Sequence, residues 1–191
     1  QELLSLLDDD VVGLVAGLET IDREVLEKGE LRVISRVGAG LSNVDLEAAK
    51  ELGIEVFNTP DAPTQAVAEL TIGAMLSALR MIPPMDRALH GRLWRKQIGF
   101  QLCNKTVLVI GFGRIGHRVA GLLQPFGVRI LVVDPFASED DCNGYQRTTL
   151  REGLAEADII TVHCSGNECI IGEDEFRLVK KGVFLFNASR G

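Results

Sequence analysis

Short apolar runs alternate with amphipathic stretches from one end of the chain to the other. The runs Val11 to Ala16, Leu31 to Ser35 and Ile54 to Phe57 have the length and composition of buried strands. Between them, Ile21 to Lys28 and Asp45 to Leu52 carry apolar residues at helical spacing. A long helix is expected from Thr64, as its N-cap, to about Met81; it is apolar on nearly every face and should lie buried between layers. Pro83-Pro84 predicts a break, with a more polar helix running on through Trp94. A second series then begins: strand Val107 to Ile110, helix Gly116 to Leu123, strand Val128 to Val133, helix Leu150 to Ala157, and strands Ile159 to Val162 and Val183 to Phe186. Strands alternating with helices predict α/β architecture with parallel sheets. The expected organisation is a domain over 1–83, a helical connection over 84–103 and a second domain over 104–191. No internal repeat or low-complexity segment appears.

Composition narrows the functional classes. Across 191 residues, 46% are hydrophobic and 25% charged, enough apolar material for one or two cores. The net charge of −7 provides no basic stripe for phosphates, so no nucleic-acid partner is expected. No apolar run reaches the length of a membrane span, and no membrane partner is expected. Cys103, Cys142, Cys164 and Cys169 are irregularly spaced and lack a companion histidine cluster, so they read as reduced thiols of a cytoplasmic protein with no metal site.

The segment with the most specific chemistry is Gly111-Phe112-Gly113-Arg114-Ile115-Gly116. It follows an apolar strand, opens an amphipathic helix, and is followed 18 residues after Gly116 by Asp134 at the end of another strand. Gly111 allows a tight turn, Gly113 lets backbone approach a pyrophosphate, and Gly116 lets helix pack closely on strand. The helix N-terminus offers N–H groups and a positive dipole end to phosphates. Asp134 can accept bonds from ribose hydroxyls and would repel a 2′-phosphate, which favours NAD over NADP. A glycine-rich turn that binds nothing would have no reason to combine strand, glycines, helix and acid.

Beyond this fingerprint the chain resembles the D-isomer-specific 2-hydroxyacid dehydrogenases, the family that includes phosphoglycerate dehydrogenases. The resemblance rests on Arg36-Val37-Gly38-Ala39-Gly40 with Asn43-Val44-Asp45-Leu46, on Asn58-Thr59-Pro60 with Val67-Ala68-Glu69-Leu70, and on Lys181-Gly182 through Asn187-Ala188-Ser189-Arg190-Gly191. It implies two doubly wound parallel-sheet domains, a flavodoxin-like substrate domain and a Rossmann NAD-binding domain, both incomplete here. It also implies hydride transfer between NAD and a small D-2-hydroxy acid or 2-keto acid, in a cleft that closes between the domains of a homodimer. On the same resemblance Arg190 is the substrate-orienting arginine, able to grip carboxylate and carbonyl oxygens in a fork. Backbone N–H groups of Val37, Gly38, Ala39 and Gly40 are expected to receive the substrate carboxylate. Arg114 and Ile115 should flank the pyrophosphate and adenosine, and Ala188 and Ser189 should border the nicotinamide. His163 matches a histidine common near the family's cofactor, with Cys164 beside it; a strand-end histidine held by backbone bonds is the alternative. Glu69 is expected to be a hydrogen-bonded structural carboxylate.

Departures from the family pattern bear on the substrate. Gly17-Leu18 stands where phosphoglycerate dehydrogenases often carry an Arg-Ser pair, Ala39 where a threonine is frequent, and Ser42 where an aspartate is frequent. The loop after His163 is also short and lacks the usual proline. These differences weaken the case for a phosphorylated substrate and leave the particular 2-hydroxy acid open. The family's acid–base histidine and its carboxylate partner should lie beyond Gly191, so a protein ending there is expected to bind NAD weakly or not at all and to transfer no hydride. An NAD-sensing corepressor of the same fold is the competing reading.

Overall fold

The computed structural model describes residues 2–8, 10–166 and 168–189. The chain divides into two compact units, Gln1–Pro63 and Thr64–Gly191. In the first unit, helix α1 (Glu2–Leu6) precedes strand β1 (Gly13–Ala16), helix α2 (Arg23–Leu26), strand β2 (Val33–Arg36), helix α3 (Leu46–Glu51) and strand β3 (Glu55–Asn58). The strands are parallel in the order β1-β2-β3. Side chains alternate across the sheet, so Leu14, Ile34 and Val56 meet the helices in one cluster with Ile21, Val25, Leu26 and Ala48. The opposite face carries Val15 and Phe57, both exposed. Asp22 and Asp45 start α2 and α3 by accepting the amides of Val25 at 3.1 Å and Ala48 at 2.9 Å.

The second unit opens with helices α4 (Thr64–Leu79) and α5 (Ile82–His90). Strand β4 (Thr106–Ile110), helix α6 (Arg114–Leu123), strand β5 (Arg129–Val133), the short strand β6 (Gln146–Arg147) and helix α7 (Leu150–Glu156) follow. Strand β7 (Ile159–Val162), helix α8 (Glu173–Phe176) and strand β8 (Phe184–Asn187) end the series. All five strands are parallel in the order β6-β5-β4-β7-β8. From Val107 to Ile110 strand β4 is buried because the sheet is covered on both faces. Val107 and Val109 face a cluster with Val119, Leu123, Met75 and Leu79, while Leu108 and Ile110 face Leu131, Leu154 and Ile160. That two-sided burial is why β4, β5 and β7 read as continuous apolar runs.

The parallel α/β architecture is as expected, but several elements differ in detail. Helix α4, expected within the first domain, packs with the second unit through Ala68, Met75 and Leu79. Its periodicity shows that a stripe is buried but carries no information about which sheet buries it. The helix is buried along that stripe only, since Leu70 is exposed, and Glu69 is a surface carboxylate accepting from Gln65 Nε2 at 2.5 Å. Thr64 is the first residue of the helix, and its buried hydroxyl has no partner among the described residues, so it does not cap. The break before α5 falls at Met81, which adopts a left-handed conformation, and Pro83 sits inside the first turn of α5. That helix stops at His90, where Gly91 and the left-handed Arg92 end it, and 93–100 has no regular structure. The short elements α1, β6 and α8 have no counterpart in the sequence reading.

Removing buried volume from the central strand should be costly. Leu108→Ala is expected to lower stability by about 2–5 kcal/mol, read as a shift in the urea midpoint of the second unit's transition. A shift within experimental error would show that Leu108 does not fill the α7 side of the core.

Candidate functional site

The two halves of the second sheet run outward from β4, so the chain reverses direction across the sheet between β4 and β7. Open parallel sheets bind ligands outside the carboxyl ends of the strands at such a point. The loop 111–113 leaves β4 there. Gly111 has φ +86°, and a Cβ on it would lie 2.5 Å from the Cys164 amide nitrogen. A Cβ on Gly116 would lie 2.0 Å from the Gly111 carbonyl oxygen. Both glycines are therefore demanded by the protein's own backbone. Gly113 differs, because a Cβ there meets nothing within 4 Å and its φ of −70° suits any residue. The openness at Gly113, at the N-terminus of α6, is room for something outside the chain.

Asp134 does more than border this space. Its Oδ2 accepts from the Phe112 amide at 2.6 Å and its Oδ1 accepts from the Phe136 amide at 2.8 Å. One carboxylate thus ties the glycine loop to the end of β5. The second lone pair of each oxygen remains for a ligand hydroxyl. A cavity of about 650 Å³ lies here, lined by Gly111, Gly113, Asp134, Phe136, His163 and Cys164 among others. Its size falls within the range of about 300–1,000 Å³ usual for small-ligand sites. Arg114 opens α6 at the surface, and Ile115 packs its side chain on the core.

His163 and Cys164 leave β7 directly above Gly111. The His163 amide donates to the Ile110 carbonyl at 2.8 Å, and Nε2 pairs with the Thr161 hydroxyl at 2.8 Å. Nδ1 is buried with no partner among the described residues. A side-chain bond thus holds the ring, and a backbone bond holds the residue's amide. Burial pushes its pKa down to about 4, so the ring is neutral near pH 7. The Cys164 thiol is pushed up, chiefly by burial, and is a poor nucleophile at neutral pH. A second cavity of about 520 Å³ lies between the loop after β7 and β8, lined by Cys164, Cys169, Phe176, Leu185 and Ser189 among others. Ala188 continues the β8 pairing by donating to the Val162 carbonyl at 3.2 Å, and Ser189 is held by Asn187 Oδ1. Arg190 lies outside the described residues.

In the first unit the loop 37–40 leaves the carboxyl end of β2. Two of its four amides are already committed: Val37 donates to the Ala16 carbonyl at 2.8 Å and Gly38 to the Thr59 hydroxyl at 2.8 Å. Among the described residues no acceptor is found for the amides of Ala39 and Gly40. Thr59 and Asn58, which brace this loop, were not singled out by role in the sequence; only β3 running parallel to β2 brings them there. No cluster of metal-ligating side chains occurs among the described residues, the four cysteines are free, and no single helix is long and apolar enough to cross a membrane.

Comparison with known proteins agrees with this geometry. Residues 72–191 match the D-isomer specific 2-hydroxyacid dehydrogenase family, NAD binding domain. The chain belongs to this family. It is 40% identical over 200 residues to the D-3-phosphoglycerate dehydrogenase of Methanocaldococcus jannaschii, covering all of this chain and 38% of that protein. It is 35% identical over 196 residues to the hydroxypyruvate reductase of Thermotoga maritima, of which it covers 64%. Among solved structures, D-lactate dehydrogenase from Aquifex aeolicus complexed with NAD and lactic acid superposes with a TM-score of 0.86 at 28% identity, over 98% of this chain and 59% of that one. The chain therefore spans between about a third and two thirds of the length of the relatives it matches. The second unit is an NAD-binding domain, and its residues fit that cofactor: the open position at Gly113, the α6 N-terminus and the acid at the β5 tip adjoin one cavity.

The glycines should separate by role. Gly116→Ala is expected to destabilise the fold, because the new methyl group meets backbone. Gly113→Ala is expected to leave the melting temperature within a degree or two while weakening NAD binding, measured by calorimetry. Equal effects of the two on melting would contradict the assignment. For His163 the folded pKa lies below the usual 6.5, so between 6.5 and about 4 the unfolded chain binds more protons and stability falls as pH drops. Melting curves across that interval should show a smaller loss in His163→Gln than in the parent sequence.

Proposed function

We propose that the protein bearing this chain is an NAD-dependent oxidoreductase acting reversibly on a small D-2-hydroxy acid and its 2-keto acid. The observation that carries the reading is the cradle of Gly111, Gly113 and Gly116 braced by Asp134, in a chain that belongs to the 2-hydroxyacid dehydrogenases. Bound NAD would supply or accept the hydride. The chain's own part is binding and orientation. Gly113 and the α6 N-terminus would take the pyrophosphate, with Arg114 and Ile115 flanking it, and Asp134 the adenosine ribose. Ala188, Ser189, His163 and Cys164 would border the cofactor at the ends of β7 and β8. A neutral His163 can orient a ligand through Nδ1 but is a poor proton donor at neutral pH. Ala39 and Gly40 would receive the substrate carboxylate, and Arg190 would hold its carboxylate and carbonyl oxygens.

Related proteins named for phosphoglycerate, hydroxypyruvate and lactate share this framework, so the framework alone does not choose the acid. A homodimer and a cytoplasmic setting complete the reading. Exposed Trp94, Ile98 and Phe100 in 93–100 support self-association, and four free cysteines support a reducing compartment.

Two measurements test this. NADH oxidation should be seen with at least one of glyoxylate, pyruvate and hydroxypyruvate, and Arg190→Lys should lower turnover by about two orders of magnitude while NADH still binds. Near-normal turnover in Arg190→Lys would remove Arg190 from the mechanism. Asp134→Asn should weaken NAD about tenfold and narrow the preference over NADP, since it removes both the charge and one of the two loop bonds. A parent protein that binds NADP as tightly as NAD would refute the role of Asp134.

A further inference from the structure

The loop 37–40 is built over a buried cation. Arg36 ends β2 with its side chain on the core face, and the residue is only 7% exposed. Its Nη1 donates to the Val37 carbonyl, while Nε is buried with no partner among the described residues. No described carboxylate stands within ion-pair distance of it. Glu19, whose carboxylate accepts from the Gly17 amide at 2.8 Å, feels its charge. The guanidinium lies directly beneath Gly38: a Cβ at that position would sit 1.7 Å from Nη1 and 2.9 Å from Cζ. Gly38 has φ +130°, a backbone conformation that L side chains rarely adopt, and a Cβ there would also push the guanidinium aside.

Three donors occupy the loop's carbonyls. Arg36 takes the Val37 oxygen, the Thr59 amide takes the Gly38 oxygen at 3.1 Å, and Asn58 Nδ2 takes the Ala39 oxygen at 2.8 Å. The amides of Ala39 and Gly40 are what remains. Two N–H groups with no acceptor among the described residues, in a loop whose Gly38 lies against a buried guanidinium, suit an anion. A buried cation without a close counter-ion is also costly, and an arriving anion would offset that cost.

We propose that Arg36 is a positioning and specificity-determining residue of the first unit: it locks the loop with the Ala39 and Gly40 amides free, and its charge selects an ionised carboxylate over a neutral ester. The inference rests on the reading that a 2-keto acid's carboxylate binds at this loop. It adds a residue to which neither the glycine fingerprint nor the arginine loop assigns a role.

The test compares the parent protein with Arg36→Gln and Arg36→Lys. Each is assayed with the best of glyoxylate, pyruvate and hydroxypyruvate and with that acid's methyl ester, and by calorimetry with the unreactive carboxylate oxamate. Arg36→Gln should raise the KM of the acid by about tenfold or more, change the ester's KM little, and leave NADH affinity intact. Arg36→Lys should recover part of the acid preference. An acid-to-ester ratio unchanged in Arg36→Gln overturns the proposal. So does equal affinity of the parent protein for oxamate and its neutral ester methyl oxamate, a measurement that needs no variant to fold. Oxamate binding that depends on Arg36, without turnover of any keto acid, would keep the Arg36 role and reject the dehydrogenase reading. Turnover in a protein whose acid preference ignores Arg36 would do the reverse.

Discussion

Helix α6 approaches the end of β4 so closely that only hydrogen atoms fit between them, and much of the second unit follows from that contact. With Gly116 against the Gly111 carbonyl, the helix axis is aimed at the strand tip, and its N-terminus opens where β4 and β7 part company. Gly111 in turn lies under the backbone of His163 and Cys164, so three segments meet without an intervening side chain. Backbone packed this tightly cannot drift, and the dipole end of α6 is presented to the cavity in a set direction. Asp134 completes the frame by tying the loop to β5 through two amide bonds. A residue expected only to touch a ligand is therefore also a structural strut. Its replacement should disturb binding through the loop as well as through the lost contact.

The first unit solves a related problem with different means. Among its described residues no glycine-rich turn opens directly into a helix. It positions two amides by occupying the neighbouring carbonyls, using Arg36 from β2 and Asn58 and Thr59 from the end of β3. In both units the open donors stand at the carboxyl ends of parallel strands, where connecting loops can present N–H groups without breaking a ladder. The charges of the two units differ in sign. The NAD-binding unit places a carboxylate where ribose hydroxyls would lie, and the first unit places a guanidinium beneath an anion loop. Asp134 would repel a further phosphate, while Arg36 would welcome a carboxylate. On the proposed reading these would be opposite electrostatic filters on one chain.

His163 shows how burial alters what a residue type suggests. A histidine beside a redox cofactor invites a proton-transfer role, yet burial pushes its pKa down to about 4 and Thr161 holds one ring nitrogen. What remains is a fixed, neutral ring with one nitrogen to offer. Such a group orients a ligand better than it donates a proton.

Local spacing was enough to read the parallel α/β class, the glycine cradle, the acid at the β5 tip and the family, because each depends on residues close in sequence or on a run's own periodicity. The caps at Asp22 and Asp45 are equally local, although the spacing placed both residues inside the expected helices. Elements whose identity comes from partners could not be read this way. The two residues of β6 are polar and form a strand only because β5 offers them an edge, and α4 shows an apolar stripe without naming the sheet that buries it. The bracing of the 37–40 loop depends on β3 lying parallel beside β2, with Asn58 in register with Arg36. Arg36 itself, at the end of an apolar run, looks like any strand-terminal surface charge until the fold buries it. Sequence determined which chemical groups were present and their local geometry. Tertiary structure alone decided what surrounded them: two loop amides converge on one carboxylate and make an aspartate a strut, and the loss of water makes an arginine a buried cation.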